Sequence, residues 1–158
     1  MKFVNNYRGK RAETSTAEIS SIKVSDYMAT KLITFSPDQL MHEVVETLLK
    51  NRINGAPVVN DKNELIGIIS EGDCLKLISE SQYHNMPLSE GKVEAYMATD
   101  VKTIDGNMSI FDAASKFLSS RIRRFPVLEE GKLVGQISQK DIMKAVLDLD
   151  GVDWKKNG

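Results

Sequence analysis

Apolar residues recur along this chain with two alternating periods, and the alternation runs through the same order twice. Met41, Val44, Val45, Leu48 and Leu49 fall at i, i+3, i+4, i+7 and i+8, and Ile110, Ala113, Ala114, Phe117 and Leu118 repeat that spacing. Each set is the apolar stripe of an amphipathic helix. Asp38 and Asn107 stand ahead of the stripes; their short polar side chains suit an N-cap. Two short apolar runs about a polar turn come next. Val58-Val59 and Leu65 to Ile69 flank Asn60-Asp61-Lys62-Asn63, while Val127-Leu128 and Leu133 to Ile137 flank Glu129-Glu130-Gly131-Lys132. These predict hairpins. A second helix is expected after each, from Asp73 to about Ser79 and from Asp141 to about Leu147.

The identities repeat along with the periods. Tyr27-Met28-Ala29-Thr30 returns as Tyr96-Met97-Ala98-Thr99, and Thr34 as Thr103. Pro57-Val58-Val59 returns as Pro126-Val127-Leu128 at the same displacement of 69 residues (126 against 57). One residue then drops out of a loop. Leu65-Ile66-Gly67 matches Leu133-Val134-Gly135, and Ser70-Glu71-Gly72-Asp73 matches Ser138-Gln139-Lys140-Asp141, at 68 (141 against 73). The chain therefore divides into a polar N-terminal extension (1–23), a first repeat (24–78), a linker (79–92) holding Pro87 and Gly91, a second repeat (93–147) and a C-terminal tail (148–158) with Trp154 expected to pack back. Each repeat reads strand–helix–strand–strand–helix, an α+β fold built on duplication.

Composition narrows the function by exclusion. A net charge of −1 over 158 residues leaves no bulk electrostatic attraction for nucleic acid or a membrane surface. Lys2, Arg8, Lys10 and Arg11 lack aromatic interleaving and read as a solvated tail. No apolar run nears the ~18 residues of a membrane span, and the first residues lack the apolar stretch of a secretory signal. A cytoplasmic location is the expectation. Cys74 is the lone cysteine, and its neighbours Leu75, Leu77 and Ile78 suggest a buried thiol. His42 and His84 have no partner at metal-ligand spacing, so no metal site is expected. No nucleophile–base set stands out, so the chain reads as non-catalytic.

The ordered set of motifs, met twice, resembles the CBS-pair family, named for cystathionine beta-synthase, whose paired unit is also called a Bateman module. The resemblance is carried by Val24…Tyr27-Met28 and Val93…Tyr96-Met97, by Thr34 and Thr103, and by Gly55-Ala56-Pro57-Val58-Val59 and Arg124-Phe125-Pro126-Val127-Leu128. Gly67 to Asp73 and Gly135 to Asp141 complete it. It implies two β-α-β-β-α repeats packed as a pseudo-twofold pair by their sheets, two clefts between them, and dimers of pairs. It also implies that the regulated protein is another chain.

On spacing alone, Ser70-x-x-Asp73 and Ser138-x-x-Asp141 are capping boxes at helix starts. The resemblance gives the aspartate a second task, accepting hydrogen bonds from both hydroxyls of a ribose, for which a carboxylate has two oxygens. Thr34 and Thr103 read either as strand residues or, by the resemblance, as groups at the cleft edge beside the base or sugar. The segments before the hairpin prolines, with Asn54, Ala56 and Pro57 in one copy and Arg123, Arg124, Phe125 and Pro126 in the other, should supply backbone groups and an apolar wall for adenine. Arg123, Arg124 and Lys140 make the second copy the better phosphate binder, since an arginine fork suits phosphate oxygens; the alternative is a solvated basic edge.

The expected function is a non-catalytic sensor that binds AMP, ADP or ATP as a regulatory ligand, forms a homodimer and signals to an unidentified partner. A constitutive dimerisation or docking module with empty clefts is the alternative, as is a sensor of S-adenosylmethionine in the first copy's site.

Overall fold

The computed structural model describes residues 22–84 and 91–149. The N-terminal extension up to residue 21, the middle of the linker and the tail with Trp154 lie outside them. A single 3-10 turn, Val24–Asp26, opens the described chain. It is followed by α1 (Met41–Asn51), β1 (Gly55–Val59), β2 (Leu65–Ser70) and α2 (Glu71–His84), then α3 (Val93–Tyr96), β3 (Ile104–Asp105), α4 (Ile110–Ser120), β4 (Arg124–Glu129), β5 (Lys132–Ser138) and α5 (Gln139–Leu149). The α+β class and the two repeats stand as read from the sequence.

Three local expectations are revised. The main helices begin three residues after Asp38 and Asn107. Leu40 is the N-cap of α1, where its amide donates to the Glu43 carboxylate at 3.2 Å. Ser109 caps α4 by accepting from the Asp112 amide at 3.1 Å. The second helices are longer than predicted; α2 runs into the expected linker as far as His84. The opening strands shrink to the two residues of β3 in the second copy and to one parallel bridge, Phe35 to Val58, in the first.

The residues gather into two compact units that do not coincide with the two sequence repeats. Of the described residues, one unit takes 22–30, Thr103–Glu129 and 134–149; the other takes 31–84, 91–102 and Glu130–Leu133. The opening segment of each copy is exchanged. Val24 packs in a core with Ile110, Phe117, Phe125 and Ile137, all from the second copy. Val93 packs in a core with Met41, Val44, Val58 and Ile69, all from the first. Backbone pairing follows the same exchange. Ala29 and Gln136 trade N–H···O=C bonds of 2.9 Å in one unit, as do Ala98 and Ile68 in the other. Gly135 and Gly67 permit this close approach: a Cβ at either would meet the sulfur of Met28 or Met97, and would lie 2.8 or 2.9 Å from the carbonyl oxygen of Ala29 or Ala98.

The hairpins have the predicted places. Gly55 to Val58 pair with Ser70 to Gly67, and a register shift follows at Val59. The second turn is the two-residue Glu130-Gly131, both at positive φ (51° and 78°), the twist that suits a tight hairpin. The predicted stripes are buried only in part. Met41, Val44, Leu48, Ile110, Ala113 and Phe117 are in the cores, but Leu49 is 74% exposed and Leu118 85%.

Candidate functional site

The candidate residues of the second copy all lie in one unit, at one end of its three-stranded sheet in the order β3-β4-β5. β3 pairs parallel with β4 through Ile104 and Val127. Thr103, one residue earlier, therefore sits beside Pro126 at the start of that pair. Arg124 begins β4, Arg123 precedes it, and Ser138 ends β5, so the hairpin returns Ser138 to the same end. Lys140 and Asp141 follow in the first turn of α5. Arg123, Arg124 and Lys140 are exposed; Thr103, Ser138 and Asp141 are half-buried. Phe125 and Pro126 are buried, and the Phe125 ring packs on Phe117 with centroids 4.8 Å apart. What these two can turn outward at the sheet end is backbone.

The Ser138–Asp141 capping box is formed. Asp141 Oδ2 accepts from the Ser138 amide at 2.8 Å and from the Ser138 hydroxyl at 2.9 Å, and the Asp141 amide donates to Ser138 Oγ at 3.3 Å. Both reciprocal bonds satisfy donors that a helix start leaves open. They also orient the carboxylate, because one oxygen is held twice while Oδ1 has no hydrogen bond among the described residues. The spare oxygen carries the acceptor capacity a ligand hydroxyl would use.

The other unit repeats the layout. Gly55 pairs with Ser70 across the hairpin, and the Phe35 to Val58 bridge brings Thr34 beside Pro57. Asp73 Oδ2 accepts from the Ser70 amide at 2.8 Å and its hydroxyl at 3.0 Å. The Asn54 carbonyl accepts from the Glu71 amide at 2.9 Å, joining the segment before β1 to the start of α2. Thr34 and Asn54 are exposed; Ala56 and Pro57 are buried. The charges differ between the copies: Asn54, Gly55 and Gly72 stand where the other unit has Arg123, Arg124 and Lys140.

Sequence reasoning passed over Lys116, in α4. Its ammonium donates to the Thr103 carbonyl at 2.5 Å and lies 5.5 Å from the centre of the Phe125 ring. Position in the helix gave no signal, because a lysine off the apolar stripe reads as a solvated charge. It also passed over two tyrosine latches. The Tyr27 hydroxyl donates to the Asp148 carboxylate at 2.9 Å, and Tyr96 bonds Glu80 in the other unit. Burial first, then these carboxylates, raise both phenols above the usual tyrosine range. Cys74 is buried as expected, and burial, aided by Asp73, pushes its thiol up. His42 Nδ1 is buried without a hydrogen-bond partner among the described residues. The described residues hold no cluster of three or more metal-ligating side chains, and no helix long and apolar enough to cross a membrane.

The profile of the CBS domain matches residues 24–80 and 93–148, more than half of the chain. The chain belongs to the CBS-domain family. It is 31% identical to protein MJ1225 of Methanocaldococcus jannaschii over 153 residues, which is 97% of this chain but 51% of that protein. The chain thus spans about half the length of MJ1225. Among solved structures, Arabidopsis thaliana CBSX2 in complex with AMP is similar at a TM-score of 0.69 and 26% identity, covering 82% of this chain and 98% of that one. The CBS domain pair of protein MJ0100, in complex with 5′-methylthioadenosine and S-adenosyl-L-methionine, is similar at a TM-score of 0.60 and 25% identity, covering 78% of this chain and 94% of that one. Both of these CBS proteins were solved with adenosine-containing ligands.

Proposed function

We propose that this chain is a non-catalytic regulatory module that binds an adenine nucleotide at the sheet end of the Asp141 unit and signals to a separate protein. The observation that carries this reading is the Asp141 carboxylate, oriented by two bonds from Ser138 and left with one open oxygen at the sheet end where β3 and β4 begin. The ribose hydroxyls bond that carboxylate, backbone around Phe125 and Pro126 borders the base, and Arg123, Arg124 and Lys140 take the phosphate. The amide end of α5 favours the same anion. The AMP held by CBSX2 supports this class of ligand.

The Asp73 site has the same oriented carboxylate without those three cations. It suits an uncharged or cationic adenosyl compound, as the ligands of the MJ0100 pair do. Thermal unfolding with AMP, ADP, ATP and S-adenosylmethionine tests the reading. A rise in Tm that grows with ligand concentration is expected; no rise with any of them, in ligand-free protein, counts against it.

A homodimer fits the exposed apolar positions, which recur at equivalent places in both units: Leu49 and Leu118, Leu75 and Met143, Ile78 and Val146. A face present on both units can meet the same face of a second copy in a closed two-fold assembly. In the cell this module would act in the cytoplasm, with the nucleotide changing how a partner protein is engaged.

A further inference from the structure

Lys116 lies at the sheet end occupied by the Asp141 site, yet it comes from a different element, the middle of α4. It is half-buried, its ammonium donates to the Thr103 carbonyl at 2.5 Å, and it sits 5.5 Å from the Phe125 ring centre. No carboxylate pairs with it among the described residues. An ammonium has three donors, and among the described residues the Thr103 carbonyl is its one hydrogen-bond acceptor. A half-buried cation without a counter-ion raises the local potential for an anion. The equivalent position in the other unit is Thr47, whose hydroxyl turns back to the Glu43 carbonyl of its own helix at 2.8 Å. Thr34, the counterpart of Thr103, has no side chain from α1 bonded to its carbonyl.

We propose that Lys116 is a specificity-determining residue of the Asp141 site: its charge, held at the sheet end by the Thr103 carbonyl, favours a phosphorylated adenine ligand over an uncharged adenosyl one. This rests on the reading of the Asp141 site given above. With Arg123, Arg124 and Lys140 it makes four cations that the Asp73 site replaces by Thr47, Asn54, Gly55 and Gly72. Lys116 differs from the other three in being half-buried, so salt screens it less.

The test is calorimetric titration of the full chain with AMP and with adenosine, comparing wild type, K116T, K116M, K116R and D141A, with Tm recorded for each. D141A identifies which binding event belongs to this site. Loss of one charge-assisted contact predicts about tenfold weaker AMP binding in K116T and K116M, adenosine affinity within about twofold of wild type, and AMP binding retained in K116R. K116M keeps an apolar stem against Phe125, so it separates lost charge from lost packing. Equal weakening for AMP and adenosine, or no change for either, overturns the proposal while leaving the site reading intact. If D141A and wild type bind AMP alike, the site reading itself fails, and the role of Lys116 falls with it.

Discussion

Met28 packs its sulfur onto the backbone of Gly135, as Met97 does onto Gly67. This pair explains why the Tyr-Met-Ala-Thr motif and the hairpin glycine occur together in each copy: the methionine of one copy is seated on the glycine of the other. A side chain at 135 would also lie 2.8 Å from the Ala29 carbonyl oxygen, which belongs to the backbone and cannot turn aside. Gly135→Ala is therefore expected to destabilise the protein by about 1–3 kcal/mol, the usual cost of overpacking. Adding Met28→Ala should restore only part of this, since the carbonyl clash persists. Urea unfolding of the single and double variants measures both.

The two aspartates should differ in ligand preference. Asp141→Ala is expected to weaken AMP binding at least about tenfold, the effect of losing a charge-assisted contact, and more than Asp73→Ala does. A 2′-deoxy analogue should bind worse than AMP, because one donor to the carboxylate is gone. Titration calorimetry checks the order; equal loss in both variants would refute the asymmetry assigned to Arg123 and Arg124.

Ser109, rather than Asn107, should carry the N-cap of α4. Ser109→Ala is expected to cost about 1 kcal/mol, the usual value of a cap. Asn107 is exposed and its own amide donates to Asp105 Oδ1 at 2.8 Å, so its side chain is expendable there. Asn107→Ala should be close to neutral in the same unfolding assay.

The tyrosine latches predict an alkaline limit. Burial and the carboxylates of Asp148 and Glu80 raise the folded pKa of Tyr27 and Tyr96. Below the unfolded value of about 10 both states are protonated and the stabilisation is complete. As pH rises from there through the raised folded value, the unfolded state releases its protons first, and the stabilisation is lost. Tyr27→Phe should flatten this decline. Urea midpoints from pH 8 to pH 11, a range of about three units chosen around the phenol value, follow it; a parallel decline in both proteins would exclude the latch as its source.

The exposed helical leucine should report on assembly. Burying such a side chain is worth about 1.5–3 kcal/mol, so a charge at Leu118, 85% exposed in the single chain, costs little unless a second copy covers it. Leu118→Glu is expected to shift the protein from dimer to monomer in sedimentation velocity at unchanged helix content. A wild-type monomer would remove the homodimer from the proposed function.

The sequence by itself determined the duplication, the helix and hairpin order and the candidate carboxylates. Those features are local: the spacing of Met41, Val44 and Leu48 marks a helix face, and a short polar turn holds two strands in register. The capping role of Ser138 and Asp141 was legible for the same reason, since three residues span a helix start. Only the tertiary structure decided where Val24 and Val93 go. A single strand's edge is satisfied by either copy's hairpin, and the choice rests on burying each valine, and seating each methionine on a glycine, far away in sequence. It also decided that Leu49 and Leu118 stay uncovered in one chain, because burial depends on what packs over a helix and not on its spacing. Lys116 met Thr103 for the same reason. Thirteen residues separate them, and only the packing of α4 on its sheet turns an ordinary surface residue type toward the site.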